Sequence, residues 1–122
     1  MLRLLAQRPE ILFAYLHGSF AEGRPHRDVD VAVFVDPHAL RPERWRQYEG
    51  DLAVELQLHL GQPVDVRVLN DAPLAFRYHA TNGRGLVVRD AETRDEFRAR
   101  TWDAYFDFQP FARRYLREVL GG

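Results

Sequence analysis

Valines at every second position, in a run that opens on two aspartates, constrain this chain more than any other feature. Asp28 to Val35 reads DVDVAVFV. β-Branched residues at a period of two are strand chemistry, and at that period Asp28 and Asp30 leave the backbone on one face. The pattern returns at Pro63 to Leu69, PVDVRVL, with Val64, Val66 and Val68 on one face and Asp65 and Arg67 on the other. Two strands therefore each set a carboxylate against a row of valines. Ile11 to Leu16 is apolar and aromatic enough for a buried strand, and Leu86 to Arg89 reads as a last strand after the turn Asn82-Gly83-Arg84-Gly85.

Helical patterns fill the intervals. Residues 2 to 8 predict a short helix that Pro9 ends. Pro42 suits a first helical turn, and Trp45, Tyr48, Leu52, Leu56 and Leu60 recur at spacings of three and four until Gly61 stops the helix, which then crosses over the sheet. A short helix follows around Leu74 to His79. From Ala91 the pattern is helical through Phe97, Trp102, Tyr105 and Phe106, with Pro110 either kinking the helix or opening a second one that carries Phe111, Tyr115 and Leu116. Strands alternating with helices predict an α/β or α+β layer fold, a small mixed β-sheet with helices packed on it, while the strand order stays open. The 122 residues are the size of one domain, with a core over about 11–90 and C-terminal helices over about 91–120.

Composition removes several classes of function. Hydrophobic residues at 46% and charged residues at 29% belong to a globular chain rather than a disordered one. The net charge of -1 offers no large positive field, so no nucleic-acid partner is expected. All 17 basic residues are arginine, which excludes the Walker lysine, Schiff-base chemistry and the kinase strand lysine. No cysteine is present, so there is neither a disulfide framework nor a thiolate zinc site. The apolar start is broken by Arg3, Arg8 and Pro9, which fits neither a signal peptide nor a spanning helix, and a cytoplasmic protein with no membrane contact is expected.

Three features converge on a site. Gly18-Ser19 follows the first strand, where Gly18 lets the backbone pass close to a ligand and the Ser19 amide and hydroxyl can face a phosphate; the same dipeptide also serves as an ordinary helix cap. Asp28 and Asp30 repel each other unless a cation lies between them, and magnesium accepts such oxygen donors; a solvated strand end is the alternative. Asp65 joins them if its strand neighbours theirs, and a carboxylate not consumed by metal can take a proton from an attacking hydroxyl.

Other polar residues read more simply. Arg24, His26 and Arg27 suit a solvated surface turn, and His17 suits a local hydrogen bond at a strand end. His38, His59 and His79 lack metal-ligand spacing. The aromatic group Trp102, Tyr105, Phe106, Phe108, Phe111 and Tyr115 reads as core packing, with part of it left over for a partner.

The stretch GSFAEGRPHRDVDVAVFV, followed 35 positions after Asp30 by Asp65 in a valine-rich strand, resembles the minimal nucleotidyltransferases of the DNA polymerase beta-like superfamily. The resemblance covers roughly residues 11 to 70. It implies that Gly18 and Ser19 bind the triphosphate of ATP and that Asp28, Asp30 and Asp65 hold a pair of Mg2+ ions, Asp65 also activating the incoming hydroxyl. It further implies a HEPN-domain toxin as partner, with this chain as the antitoxin that moves AMP from ATP onto a tyrosine of that toxin. Arg27 stands where many relatives have serine, and Glu22 where arginine is common. Two other functions stand beside this one: a non-catalytic antitoxin that acts by binding alone, and a transferase for a small molecule, whose relatives usually carry an added substrate-binding domain.

Overall fold

The two valine-and-aspartate strands lie side by side and in parallel at one edge of a four-stranded sheet. The computed structural model describes residues 1–18 and 28–120. In chain order these form α1 (Leu2–Ala6), β1 (Ile11–His17), β2 (Val29–Val35), a 3-10 turn (Pro42–Arg44) running into α2 (Trp45–Leu60), β3 (Val64–Val68), α3 (Leu74–Thr81), β4 (Arg84–Val88) and α4 (Ala91–Val119). The sheet order is β3-β2-β1-β4. Strand β1 runs antiparallel to both neighbours, whereas β2 and β3 are parallel, as two strands joined by a crossover helix must be.

Alternation along the strands gives the sheet two apolar faces. Ala14, Leu16, the four valines of β2 and the three of β3 pack against Trp45, Leu52 and Leu56 of α2. On the opposite face Phe13, Tyr15 and Ala32 meet Leu69 and Ala80, with Phe34, Phe76 and Phe97 against them. Phe13 and Phe34 stack at 4.8 Å between ring centres, and Phe97 tilts over both at 5.7 and 5.1 Å.

Side chains of α2 also fix the edge strand. The backbone N–H of Val64 donates to Gln57 Oε1 at 3.2 Å and that of Val68 to Glu49 Oε2 at 2.8 Å. These two acceptors cover N–H groups that an edge strand would otherwise present to another chain. Gly61 ends α2 in the left-handed region at φ 72°, its N–H donating to the Gln57 carbonyl at 2.8 Å, as the helix stop read from the sequence requires.

Several boundaries differ from the sequence reading, most by one or two residues. Helix α1 ends at Ala6 rather than at residue 8. Strand β4 begins at Arg84, so the turn reduces to Asn82-Gly83; a Cβ on Gly83 would collide with the Leu16 carbonyl oxygen. Helix α4 is one helix of 29 residues, and no second helix starts at Pro110. Its start is capped by Asp90, which accepts from the Thr93 N–H at 3.0 Å and from the Thr93 hydroxyl at 2.8 Å. Pro110 forfeits one backbone hydrogen bond, and its ring lies on a stretch whose neighbours are mostly exposed.

The aromatic group of α4 divides before that proline, after Tyr105, with Phe106 already half exposed. Tyr105 stacks on Tyr78 at 3.8 Å, and Trp102 Nε1 donates to Thr81 Oγ1 at 3.1 Å, so the first half packs as expected. Phe108, Phe111 and Tyr115 are 57 to 70% exposed and are not core. No described helix is long and apolar enough to cross a membrane.

Leu56 is fully buried between α2 and the valine rows. Leu56→Ala is expected to destabilise the fold by about 2–5 kcal/mol, the usual range for a large-to-small core change. Urea unfolding checks this, and a loss under about 1 kcal/mol would contradict the packing described.

Candidate functional site

The row of residues across the end of the sheet is set by strand register. His17 of β1 lies opposite Asp30 of β2, and Asp30 is the register partner of Asp65 of β3. Because strands lie about 4.8 Å apart, the three side chains stand next to one another. All three belong to the face that carries Tyr15 and Ala32 further along, which is the face opposite α2. The Val29 N–H donates to the Pro63 carbonyl at 3.0 Å, which locks the start of β2 to the start of β3 and so fixes the pairing. Asp28 is exposed one residue before β2, at the mouth of this row.

Gly18 follows the row directly and closes over it. Its φ is +76°, and a Cβ at this position would sit 2.5 Å from Asp30 Oδ2. Glycine is thus required twice here, by backbone conformation and by the nearness of the carboxylate. Ser19, the other expected triphosphate ligand, lies outside the described residues, as do Glu22, Arg24, His26 and Arg27.

Burial presses Asp30 and His17 toward their neutral forms. Partial burial raises the Asp30 carboxyl above the usual carboxylate range; His17 works against this, while Asp65 and Asp28 add to it. Burial lowers His17 below the usual imidazole range, against the pull of Asp30 and Asp65 and with a smaller push from Arg67. The Nε2 of His17 is buried and has no hydrogen-bond partner among the described residues. The ring meets Phe76 of α3 edge to face at 5.2 Å. The Arg67 guanidinium lies over the same Phe76 ring at 4.7 Å, which places a cation on the carboxylate face one step beyond Asp65.

Sequence reasoning had set Arg67 on the face of Asp65 and named His17 at the strand end, but gave neither a place in the site; the strand register that brings His17 beside Asp30 is what adds it. Phe76 carried no signal, because its place depends on how α3 docks.

The donors suit a hard cation. Asp30 and Asp65 present carboxylate oxygens side by side, and Asp28 stands at the open end. Among the described residues no group of three or more histidine, aspartate or glutamate side chains is already gathered as a metal cage. Like-charged carboxylates disfavour such a cage by themselves, and at Asp30 that repulsion adds a smaller push to the rise that burial causes.

A family model described as Polymerase beta, Nucleotidyltransferase matches residues 2–92, a span that takes in all four strands and all three aspartates. The chain superposes on one from a crystal structure of a mutant toxin–antitoxin MntA–HpeT with a TM-score of 0.73 at 24% identity, over 96% of this chain and 91% of that one. A toxin–antitoxin structure with AMP-PNP gives 0.71 at 23% identity, over 96% and 92%. A complex of tri-AMPylated Shewanella oneidensis HEPN toxin with MNT antitoxin gives 0.67 at 20% identity, over 98% and 99%. These likenesses establish the fold. No curated protein matches the chain.

The raised Asp30 carboxyl has a consequence for stability. A carboxyl whose folded pKa lies above its unfolded value favours folding when protonated; that contribution is complete below the unfolded pKa, 3.8, and is lost as pH rises through the folded one. In chelator-treated, metal-free protein, Asp30→Asn is therefore expected to be more stable than wild type at neutral pH, with the difference shrinking toward zero as pH falls below the ordinary carboxylate range. Paired urea unfolding at several pH values measures it. A mutant less stable than wild type at neutral pH would show that the ionised carboxylate is held by favourable contacts instead.

Proposed function

This chain belongs to the polymerase beta nucleotidyltransferase family, and on that premise we propose that it transfers AMP from ATP to a tyrosine hydroxyl of a HEPN-type toxin and serves as its antitoxin. The observation that carries the reading is the facing of Asp30 and Asp65 across parallel strands with Gly18 pressed against Asp30. Backbone and carboxylates thus converge on one point at the sheet end, which is the arrangement that transfer between phosphate and hydroxyl requires.

In this proposal Asp28, Asp30 and Asp65 hold magnesium, which when bound neutralises charge on the phosphates and on the leaving oxygen. Gly18, with Ser19 after it, lets the backbone approach the triphosphate of ATP. Asp65, exposed where Asp30 is partly buried, accepts the proton of the incoming hydroxyl. The hydroxyl oxygen then bonds to the α-phosphorus, the bond to the β-phosphate oxygen breaks, and pyrophosphate leaves. His17, held neutral by burial, lies beside Asp30 without adding a fixed positive charge to the row.

The partner and donor rest on the solved structures of like fold, which are described as toxin–antitoxin complexes, one with AMP-PNP and one with a tri-AMPylated HEPN toxin. ATP as donor and a cysteine-free chain suit the cytoplasm.

With labelled ATP and magnesium, label is expected on a tyrosine of a co-expressed HEPN-type toxin, with toxicity falling in step. Asp28→Asn should abolish transfer, and Asp65→Asn should lower turnover by about 10²–10⁴-fold, the usual loss of a general base, and cost rate more than ATP affinity. Mass spectrometry of the toxin checks both. An unmodified toxin that wild type and Asp28→Asn neutralise equally would replace this reading with an antitoxin that acts by binding alone.

A further inference from the structure

The face of the sheet that carries the carboxylates also carries a second cleft at its far end. Strand β2 runs from Asp30 to Phe34, and Phe34 lines that cleft, so at about 3.3 Å per residue it lies roughly 13 Å from the acidic row. The cleft has a volume of about 360 Å³ and is closed by α4 on one side and by Arg77 of α3 on another. That volume is within the range of small-molecule sites.

Its lining is unusual in two of its polar groups. Thr101 is 1% exposed, and its hydroxyl has no hydrogen-bond partner among the described residues. The Nε–H of Arg77 is buried and likewise without a partner, and Arg77 forms no ion pair among the described residues; its guanidinium lies 5.9 Å from the Phe97 ring. Each unpaired buried donor of this kind costs about 1–3 kcal/mol, more when charged, unless something accepts from it. Arg100 and Glu96 stand at the rim, largely exposed and only 4.0 Å apart. With two guanidiniums against one carboxylate, the charged groups of the lining sum to +1. Phe34 and Phe97 give it an apolar wall.

We propose that this cleft binds a small organic oxyanion, a carboxylate or phosphate on a flat apolar body, through Arg77, Arg100 and the Thr101 hydroxyl. An oxyanion accepts from the hydroxyl and from the Nε–H together and matches the surplus positive charge. The flat body lies against Phe34 and Phe97. The site is separate from the acidic row and shares no residue with it.

Titrating the isotope-labelled full chain with benzoate and, separately, with inorganic phosphate tests this by nuclear magnetic resonance, with sodium chloride at equal ionic strength as control. Saturable shifts are expected at the Thr101 amide and the Arg77 Nε–H. Binding should weaken about tenfold in Thr101→Val, a near-isosteric change that removes the hydroxyl, and in Arg77→Met. A response to benzoate alone assigns a carboxylate ligand, to phosphate alone a phosphate ligand, and to both the oxyanion class as a whole. Shifts that never saturate, that chloride reproduces, or that Thr101→Val leaves unchanged would overturn the proposal.

Discussion

The pairing of β2 with β3 in parallel is the constraint on which the rest of the molecule depends. It places Asp30 against Asp65 in a partly buried row, a strain to which burial of the Asp30 carboxyl contributes most and the like charge of Asp65 less. The strain is offset on the other side of the same strands. Seven valines there pack on Leu52 and Leu56, while Gln57 and Glu49 of α2 tie β3 by its backbone. Slipping β3 by one residue would turn its valines away from α2 and its aspartate into the core, so register and site are specified by the same apolar contacts.

The site is built from strand ends rather than from helices or long loops, which gives it precision with few residues. His17 and Gly18 come from the end of β1, Asp28 and Asp30 from the start of β2, and Asp65 from the start of β3. Antiparallel and parallel pairing together bring one strand's end and two strands' beginnings to a common edge. Gly18 can press on Asp30 because it has no side chain, and burial lowers the pKa of His17, its neighbour in the row. A residue with a Cβ at the first position, or a fixed cation at the second, would disturb the carboxylates the fold has brought together.

Much of this was legible in the sequence because it rests on a period of two. The valine rows marked both strands and set their aspartates on the face opposite the valines, while spacings of three and four marked the crossover helix with its Gly61 stop. Neighbouring of the two strands was only a condition there, since strand order depends on contacts far apart in sequence. The packing of His17 was not legible, because its surroundings, Phe76 above all, come from a helix whose docking no local pattern encodes. Pro110 was read as a kink or a break and proved to be neither a boundary nor the start of a new helix, since an exposed helix tolerates the loss of one backbone bond. Of the aromatic group read as core packing with a part left over, the outer members Phe108, Phe111 and Tyr115 are the part left exposed, a division no local pattern marked.

The central claim is that the facing aspartates make nucleotide binding depend on a divalent cation. Calorimetric titration of the chain with AMP-PNP, once with magnesium and once with chelator, tests it most directly. The account predicts that magnesium strengthens binding to wild type and that Asp30→Asn loses most of that gain. Equal affinity for AMP-PNP with and without magnesium in wild type would contradict it.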